Sequence, residues 1–155
     1  MRLEALETEP RAFGESAEEH RATPMEVFRK RLLAGGDDHF VLGAFASGKL
    51  VGTVGFGRSA RRKERHKARI WGVYVEKSQR GQGIAKRLFE EVLGRAHAMS
   101  GLEKIILTVG HHQTAAKRLY SSLGFQVFGH EAHALKAGNE YIDEDYMVFL
   151  VPARF

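Results

Sequence analysis

Gln79-Arg80-Gly81-Gln82-Gly83-Ile84-Ala85 stands between a β-branched, aromatic run, Ile70-Trp71-Gly72-Val73-Tyr74-Val75, and the clearest helix of the chain, residues 84–99. In that helix Ala85, Leu88, Phe89, Val92, Ala96 and Met99 are spaced as a core-facing stripe. Glycines at a strand-to-helix corner allow backbone N–H groups to turn toward an anion, and the helix N-terminus adds its partial positive charge. The heptapeptide therefore predicts a phosphate cradle; the competing reading is a tight turn that holds nothing. Two common cradles are excluded. Lys86 sits where the third glycine of a dinucleotide fingerprint belongs, and no G-K-S/T follows.

Outward from this corner, Lys104 to Val109 is a nearly continuous apolar run of the kind buried on both faces of a sheet. Ala115 to Leu123 reads as a short helix stopped by Gly124, and Phe125–Gly129 and Tyr141–Val151 read as closing strands. Upstream, Phe40–Phe45 and Leu50–Phe56 form a hairpin turned at Ser47-Gly48-Lys49. The first 36 residues read as helical. Thr23-Pro24-Met25-Glu26 has the pattern of a capping box, Met25, Phe28 and Leu32 share a face, and Gly35-Gly36 is the stop. Ser16-Ala17-Glu18-Glu19 is a weaker helix start. A strand–helix–strand unit flanked by hairpins predicts an α/β (α+β) fold with a mixed, mostly antiparallel central sheet and helices on both faces.

The 155 residues, 43% hydrophobic and 28% charged, fit one domain spanning 1–155. A chain of this size buries roughly 68–70% of its unfolded surface, enough for an ordinary core. With no cysteine, disulfides, thiolate–metal sites and a catalytic thiol are excluded. Apolar runs of about seven residues fall far short of the ~20 that span a bilayer, so no membrane partner is expected. Glu4, Glu7 and Glu9 lie where a signal peptide would be apolar, which leaves a cytoplasmic protein as the expectation. The net charge of +5 is local: segment 58–69 carries Arg58, Arg61, Arg62, Lys63, Arg65, Lys67 and Arg69 against Glu64 alone. That basic loop suits a phosphate-bearing ligand or nucleic acid, or is simply a solvated turn.

Arg80-Gly81-Gln82-Gly83-Ile84-Ala85 resembles the R/Q-x-x-G-x-G/A motif of the GCN5-related N-acetyltransferases (GNAT). Trp71-Gly72-Val73-Tyr74-Val75 is similar to that family's fourth strand, and Ala116-Lys117-Arg118-Leu119-Tyr120-Ser121-Ser122-Leu123-Gly124-Phe125 to its A-x-x-L-Y-x-x-x-G-F. Tyr141 to Met147 looks like its last strand, and the resemblance covers about residues 38–151. It implies a splayed parallel strand pair forming a cleft for acetyl-CoA. The pyrophosphate would meet backbone amides of Arg80, Gly81, Gln82, Gly83, Ile84 and Ala85, and the pantetheine would pair along Val73, Tyr74 and Val75. A backbone N–H near Val75 would stabilise the oxyanion, and Tyr120 would protonate the leaving thiolate. From spacing alone Tyr120 reads equally as core, on a helix face with Ala116, Leu119 and Leu123. Gln113 stands where the family often has Asn, one methylene longer.

The resemblance implies direct attack by a primary amine, of a small molecule or a protein, in a ternary complex. It fixes no general base; Glu76, Glu144, Asp143 and His112 are the candidates. A branch acting on protein N-termini carries Tyr-Tyr where this chain has Tyr141-Ile142. Expected partners are acetyl-CoA and an amine acceptor, with a homodimer left open and no metal expected. His130-Glu131-Ala132-His133 is one residue short of H-E-x-x-H, and i, i+3 on a strand sends the two rings to opposite faces. His111-His112 reads as an ordinary loop pair near the thioester, and Trp71 as core. The alternative function is a non-catalytic acyl-CoA or nucleic-acid binding module using loop 58–69. The sequence favours the enzyme, since no helix-turn-helix or aromatic-interleaved basic surface accompanies that loop.

Overall fold

Alternation and turn chemistry account for the sheet seen in the computed structural model, which describes residues 1–33 and 36–152. Strands β1 (His39–Ala46) and β2 (Lys49–Arg58) pair antiparallel around Ser47 and Gly48, both at positive φ as a two-residue turn requires. β3 (Lys67–Val75) follows, then α4 (Ile84–Ala98), β4 (Lys104–Gly110), α5 (Thr114–Ser122), β5 (Gln126–Ala137) and β6 (Glu140–Leu150). Ahead of them lie α1 (Arg2–Thr8), α2 (Ala17–Ala22) and α3 (Met25–Leu33). The six strands run in the order β1-β2-β3-β4-β6-β5, antiparallel except for β3 with β4. This is the mixed, mostly antiparallel sheet that the element order predicts.

The parallel contact is brief. β3 and β4 pair only at Lys67–Lys104, Ala68–Ile105 and Arg69–Ile106, after which they separate. β3 also carries a bulge: Thr53 faces Tyr74 but Gly55 faces Trp71, and Gly72 takes φ +62 to accommodate the extra residue. The bulge reverses the alternation, so Val73 packs toward the core beside Ile70, while Tyr74 turns the other way to hydrogen-bond Glu4 and Thr8 of α1.

One face of the sheet carries α4 and α5. Leu88, Phe89, Val92, Leu93 and Ala96 of α4 are buried on Val54, Phe56, Ile70, Ile105 and Leu107. Phe89 is fully buried between Tyr120 and Phe125, and burial of such a ring contributes on the order of 2–3 kcal/mol. Ala5 and Leu6 of α1 are buried on the opposite side.

Three local expectations change. The capping box forms at Ser16 and Glu19, whereas the Thr23 hydroxyl donates to the Glu19 carbonyl at the end of α2 and leaves α3 without that cap. α3 buries no residue: Met25 is 78% exposed and Leu32 is exposed, while Phe28 is half-buried with its ring against His20; Gly35 of the expected stop lies outside the described residues. The basic segment is a loop only from 59 to 66, with a 3-10 turn at Arg62–Glu64, and its two ends are strand. Arg58 ends β2, Lys67–Arg69 begin β3, and Arg58 and Arg65 both pair with Asp38.

Candidate functional site

Where β3 and β4 part, a cleft of about 1010 Å³ opens across the sheet. Its walls include Val73, Tyr74 and Val75 of β3, then Arg80, Gly81, Gly83, Ile84 and Ala85, then Gln113 and Tyr120, with Glu144 and His112 on the far side. The fold thus brings together most of the residues singled out from sequence; Gln82, Glu76 and Asp143 do not line the cleft.

The corner behaves as its glycines require. Gly81 and Gly83 sit at φ +77 and +74, the left-handed region that favours glycine, and Gly83 is the N-cap of α4. The N–H groups of Gly81, Gln82 and Gly83 make no hydrogen bond among the described residues, and the first turn of α4 carries no acid. Unpaired donors and a helix N-terminus with no acid in its first turn form a donor set suited to a pyrophosphate. Arg80 is braced: Nε donates to the Val75 carbonyl at 3.0 Å and Nη1 to Glu9 at 2.9 Å. Glu76 N–H donates to the Val51 carbonyl, so strand alternation turns the Val75 N–H toward the gap.

Tyr120 is buried in contact with Phe89 and also lines the cleft. Its hydroxyl makes no hydrogen bond among the described residues, and burial pushes its pKa well above the ordinary phenol value, so the proton stays on it at neutral pH. Gln113 precedes α5 as its N-cap residue, with no hydrogen bond from its amide side chain among the described residues.

The four base candidates separate. Glu76 is tied to Lys49 and Ser78, and the Lys49 hydrogen bond above all holds its carboxyl below the usual range. Asp143 accepts from the His133 N–H, which lowers its pKa. Glu144 lines the cleft; burial, and then the neighbouring Glu131, raise its pKa. His112 also lines the cleft, and burial lowers its pKa, keeping the ring neutral near pH 7. Trp71 corrects the sequence reading: it is 44% exposed at the cleft, its indole lying across Gly55, where any Cβ would come within 2.4 Å of the ring.

Sequence spacing also missed a polar cluster behind the cleft. Asp145, 3% exposed, receives His130 Nδ1 at 2.8 Å, His111 Nδ1 at 3.0 Å and Lys117 Nζ at 2.5 Å. His130 and His133 do not part as the strand period predicts: a bulge in β5 sets His133 at φ +56, where it stacks on Tyr141, on the same side of β6 as the Asp143 and Asp145 that His130 approaches. Ligand-type atoms of His111, His130 and Asp145 lie within 4.8 Å of one another, and the Lys117 ammonium already compensates the carboxylate. Burial works to raise the Asp145 pKa, but the hydrogen bonds from His130, Lys117 and His111 outweigh it and hold the group well below its ordinary value. A lowered folded-state pKa stabilises the protein above the unfolded value near ~3.9, and that contribution is lost as pH falls further. Asp145→Asn should cost roughly 2–4 kcal/mol at pH 7 and reduce the dependence of stability on pH between about 5 and 2. Urea melts of both proteins across that range check this; parallel curves would show that Asp145 contributes nothing through its charge.

Residues 3–125 match the model of the acetyltransferase (GNAT) family. An acetyltransferase of the GNAT family from Streptococcus pneumoniae is 28% identical, with a TM-score of 0.73 over 89% of this chain and 78% of that one. The Salmonella typhimurium protein yncA, solved with its cofactor acetyl-CoA, is 18% identical, with a TM-score of 0.74 over 97% of this chain and 87% of that one. The ribosomal-protein-alanine N-acetyltransferase from Brucella melitensis is 22% identical, with a TM-score of 0.68 over 88% and 79%. No curated protein matches the chain. Among the described residues, no helix is long and apolar enough to cross a membrane.

Proposed function

The chain belongs to the GNAT acetyltransferase family, and from that premise we propose that it is one acetyl-CoA-dependent N-acetyltransferase domain over 1–155, acting on a primary amine. The observation that carries this reading is the cleft itself, where the unpaired N–H groups of Gly81–Gly83 and the hydroxyl of Tyr120 serve one cavity.

When bound, acetyl-CoA supplies a thioester carbonyl for the amine to attack. The chain supplies positions and protons. Backbone amides at Gly81–Ala85 would anchor the pyrophosphate, and the edge of β3 from Val73 to Val75, whose Val75 carbonyl already accepts from Arg80, would align the pantetheine as an extra strand. The Val75 N–H faces the gap, where it would stabilise negative charge on the carbonyl oxygen. Glu144 would accept a proton from the ammonium before its nitrogen bonds to the acetyl carbon; as the C–S bond breaks Tyr120 would donate its hydroxyl hydrogen to sulfur, and the second proton that the nitrogen sheds in becoming an amide would restore the phenol. Gln113 offers its amide to the same cleft.

The alternative binding module loses ground in this geometry. Arg58, Arg65 and Lys67 of the basic segment are paired with Asp38 or Glu64, which leaves a smaller cationic surface than the sequence suggests. The test is thiol release from acetyl-CoA over a panel of amines, with calorimetric binding of acetyl-CoA. Neither binding nor release with any amine would overturn the reading. Within it, Glu144→Gln should lower kcat by about 10²–10³-fold and remove a rate limb that rises with pH, because the carboxylate works only once deprotonated. If that limb persists in Glu144→Gln and vanishes in His112→Gln, the base is His112.

A further inference from the structure

The sheet face opposite α4 and α5 carries an arrangement that the reaction above does not use. Arg69 and Trp71, two residues apart on β3, share a side of the sheet. Arg69 pairs with Ile106, Ile106 with Val148, Thr108 with Tyr146 and Gly110 with Glu144, so Arg69, Trp71, Tyr146 and Glu144 all stand on that face. The cations around Arg69 are engaged: Lys67 with Glu64, and Arg58 and Arg65 with Asp38. Arg69 is exposed, lines the cleft, and makes neither an ion pair nor a hydrogen bond among the described residues. Beside it the indole of Trp71 lies flat over Gly55 with one side open at the cleft; a second cavity of about 530 Å³ next to it is walled largely by polar and charged groups, Arg58, Ser59, Glu64 and Lys67 among them.

Building on the acetyltransferase reading, we infer that the acceptor is a free α-amino acid with an apolar or aromatic side chain. Its carboxylate is held by Arg69, its amine faces Glu144, and its side chain lies on the exposed indole of Trp71. Two strand spacings and four residues of rise set the Cα atoms of Arg69 and Glu144 about 16 Å apart, and the Arg69 charge acts on the Glu144 carboxyl from that position. The gap between them suits a small zwitterion whose two charges are a few ångströms apart. A guanidinium matches a carboxylate through two parallel hydrogen bonds, and an indole offers a flat apolar surface. A polyamine would place only positive charge against Arg69. A protein N-terminus has no carboxylate next to its amine and would leave Arg69 unused.

The experiment compares L-leucine, L-phenylalanine and L-tryptophan with their carboxamides, their decarboxylated amines, spermidine and an N-terminal peptide, following thiol release from acetyl-CoA. Free amino acids should exceed their amides at least tenfold in kcat/KM. Arg69→Gln should shrink that acid-to-amide ratio by roughly 10–100-fold, chiefly through KM, and Arg69→Lys should restore part of it. A merely structural role for Arg69 would move acid and amide together and leave the ratio in place. Trp71→Ala should narrow the difference between the three side chains. Amides, amines or peptide turned over as well as the free acids would overturn this inference and leave the acetyltransferase reading standing. Absence of both acetyl-CoA binding and thiol release would remove both.

Discussion

Tyr120→Phe is expected to lose about a hundredfold in kcat while acetyl-CoA affinity stays within a few-fold and the melting temperature is held or slightly raised. The ring packs against Phe89 and Phe125, and phenylalanine preserves those contacts. The hydroxyl has no hydrogen-bond partner among the described residues, so its removal leaves no buried group orphaned and removes the cost of desolvating it. Its pKa is raised by burial, which at first sight argues against an acid facing a thiolate whose conjugate acid has a pKa near ~8.5. A phenol that keeps its proton can nonetheless stabilise the departing thiolate by donating a hydrogen bond to sulfur. The effect should therefore sit at the low end of the roughly 10²–10⁴-fold range of general acid catalysis, with proximity untouched. Steady-state rates, calorimetric binding and a melting curve decide it. A Phe variant that keeps its rate but melts earlier would make Tyr120 a core residue and nothing more.

Gly83→Val should raise the acetyl-CoA dissociation constant at least tenfold, on the order of 1.4 kcal/mol. In the free protein the added Cβ meets only Arg87 Nη1, at 4.0 Å, so no protein clash stands behind this expectation. Two other causes remain. At φ +74 an L-residue costs about 1–2 kcal/mol, more when β-branched, and relief of that strain would turn the Gly81–Gly83 amides away from one another. The side chain would also stand in the concavity itself. Gly83→Asn separates the two, because asparagine tolerates the left-handed region while still filling the space. Loss of affinity in both variants assigns the effect to contact; loss in Val alone assigns it to strain. A folded Val variant with undiminished affinity would make the heptapeptide only a turn.

Much of this was legible because local chemistry and global fold agree at the corner: the β-branched and aromatic run of β3, paired glycines and the stripe of α4 each name their own element. Tyr120 shows where legibility ends. Its spacing fits a core helix face and its exposure says the same, yet the cavity also reaches it, and only the separation of β3 from β4 makes both true. Trp71 was misread because an aromatic in a strand is ordinarily buried; the sequence does not announce that Gly55 across the ladder makes room for the indole on the open face. The Asp145 cluster joins residues 28 and 34 positions apart, a separation that no local pattern records. Glu144 and Glu76 were equivalent on paper, and their surroundings, a cleft wall for one and Lys49 for the other, divide them.

The three-rung contact between β3 and β4 also bears on how the protein keeps. Beyond Arg69, β3 turns a row of amide donors and carbonyl acceptors toward open space in the middle of a sheet, which amounts to an edge strand in the interior. Between Ile70 and Val75 there is no lysine or proline to discourage a foreign strand, and the run is rich in the residues that favour pairing. An extended ligand seated there would complete the ladder and shield it. The occupied protein should accordingly be the form that resists self-association on concentration or storage, with the ligand acting as a removable strand as well as a reactant.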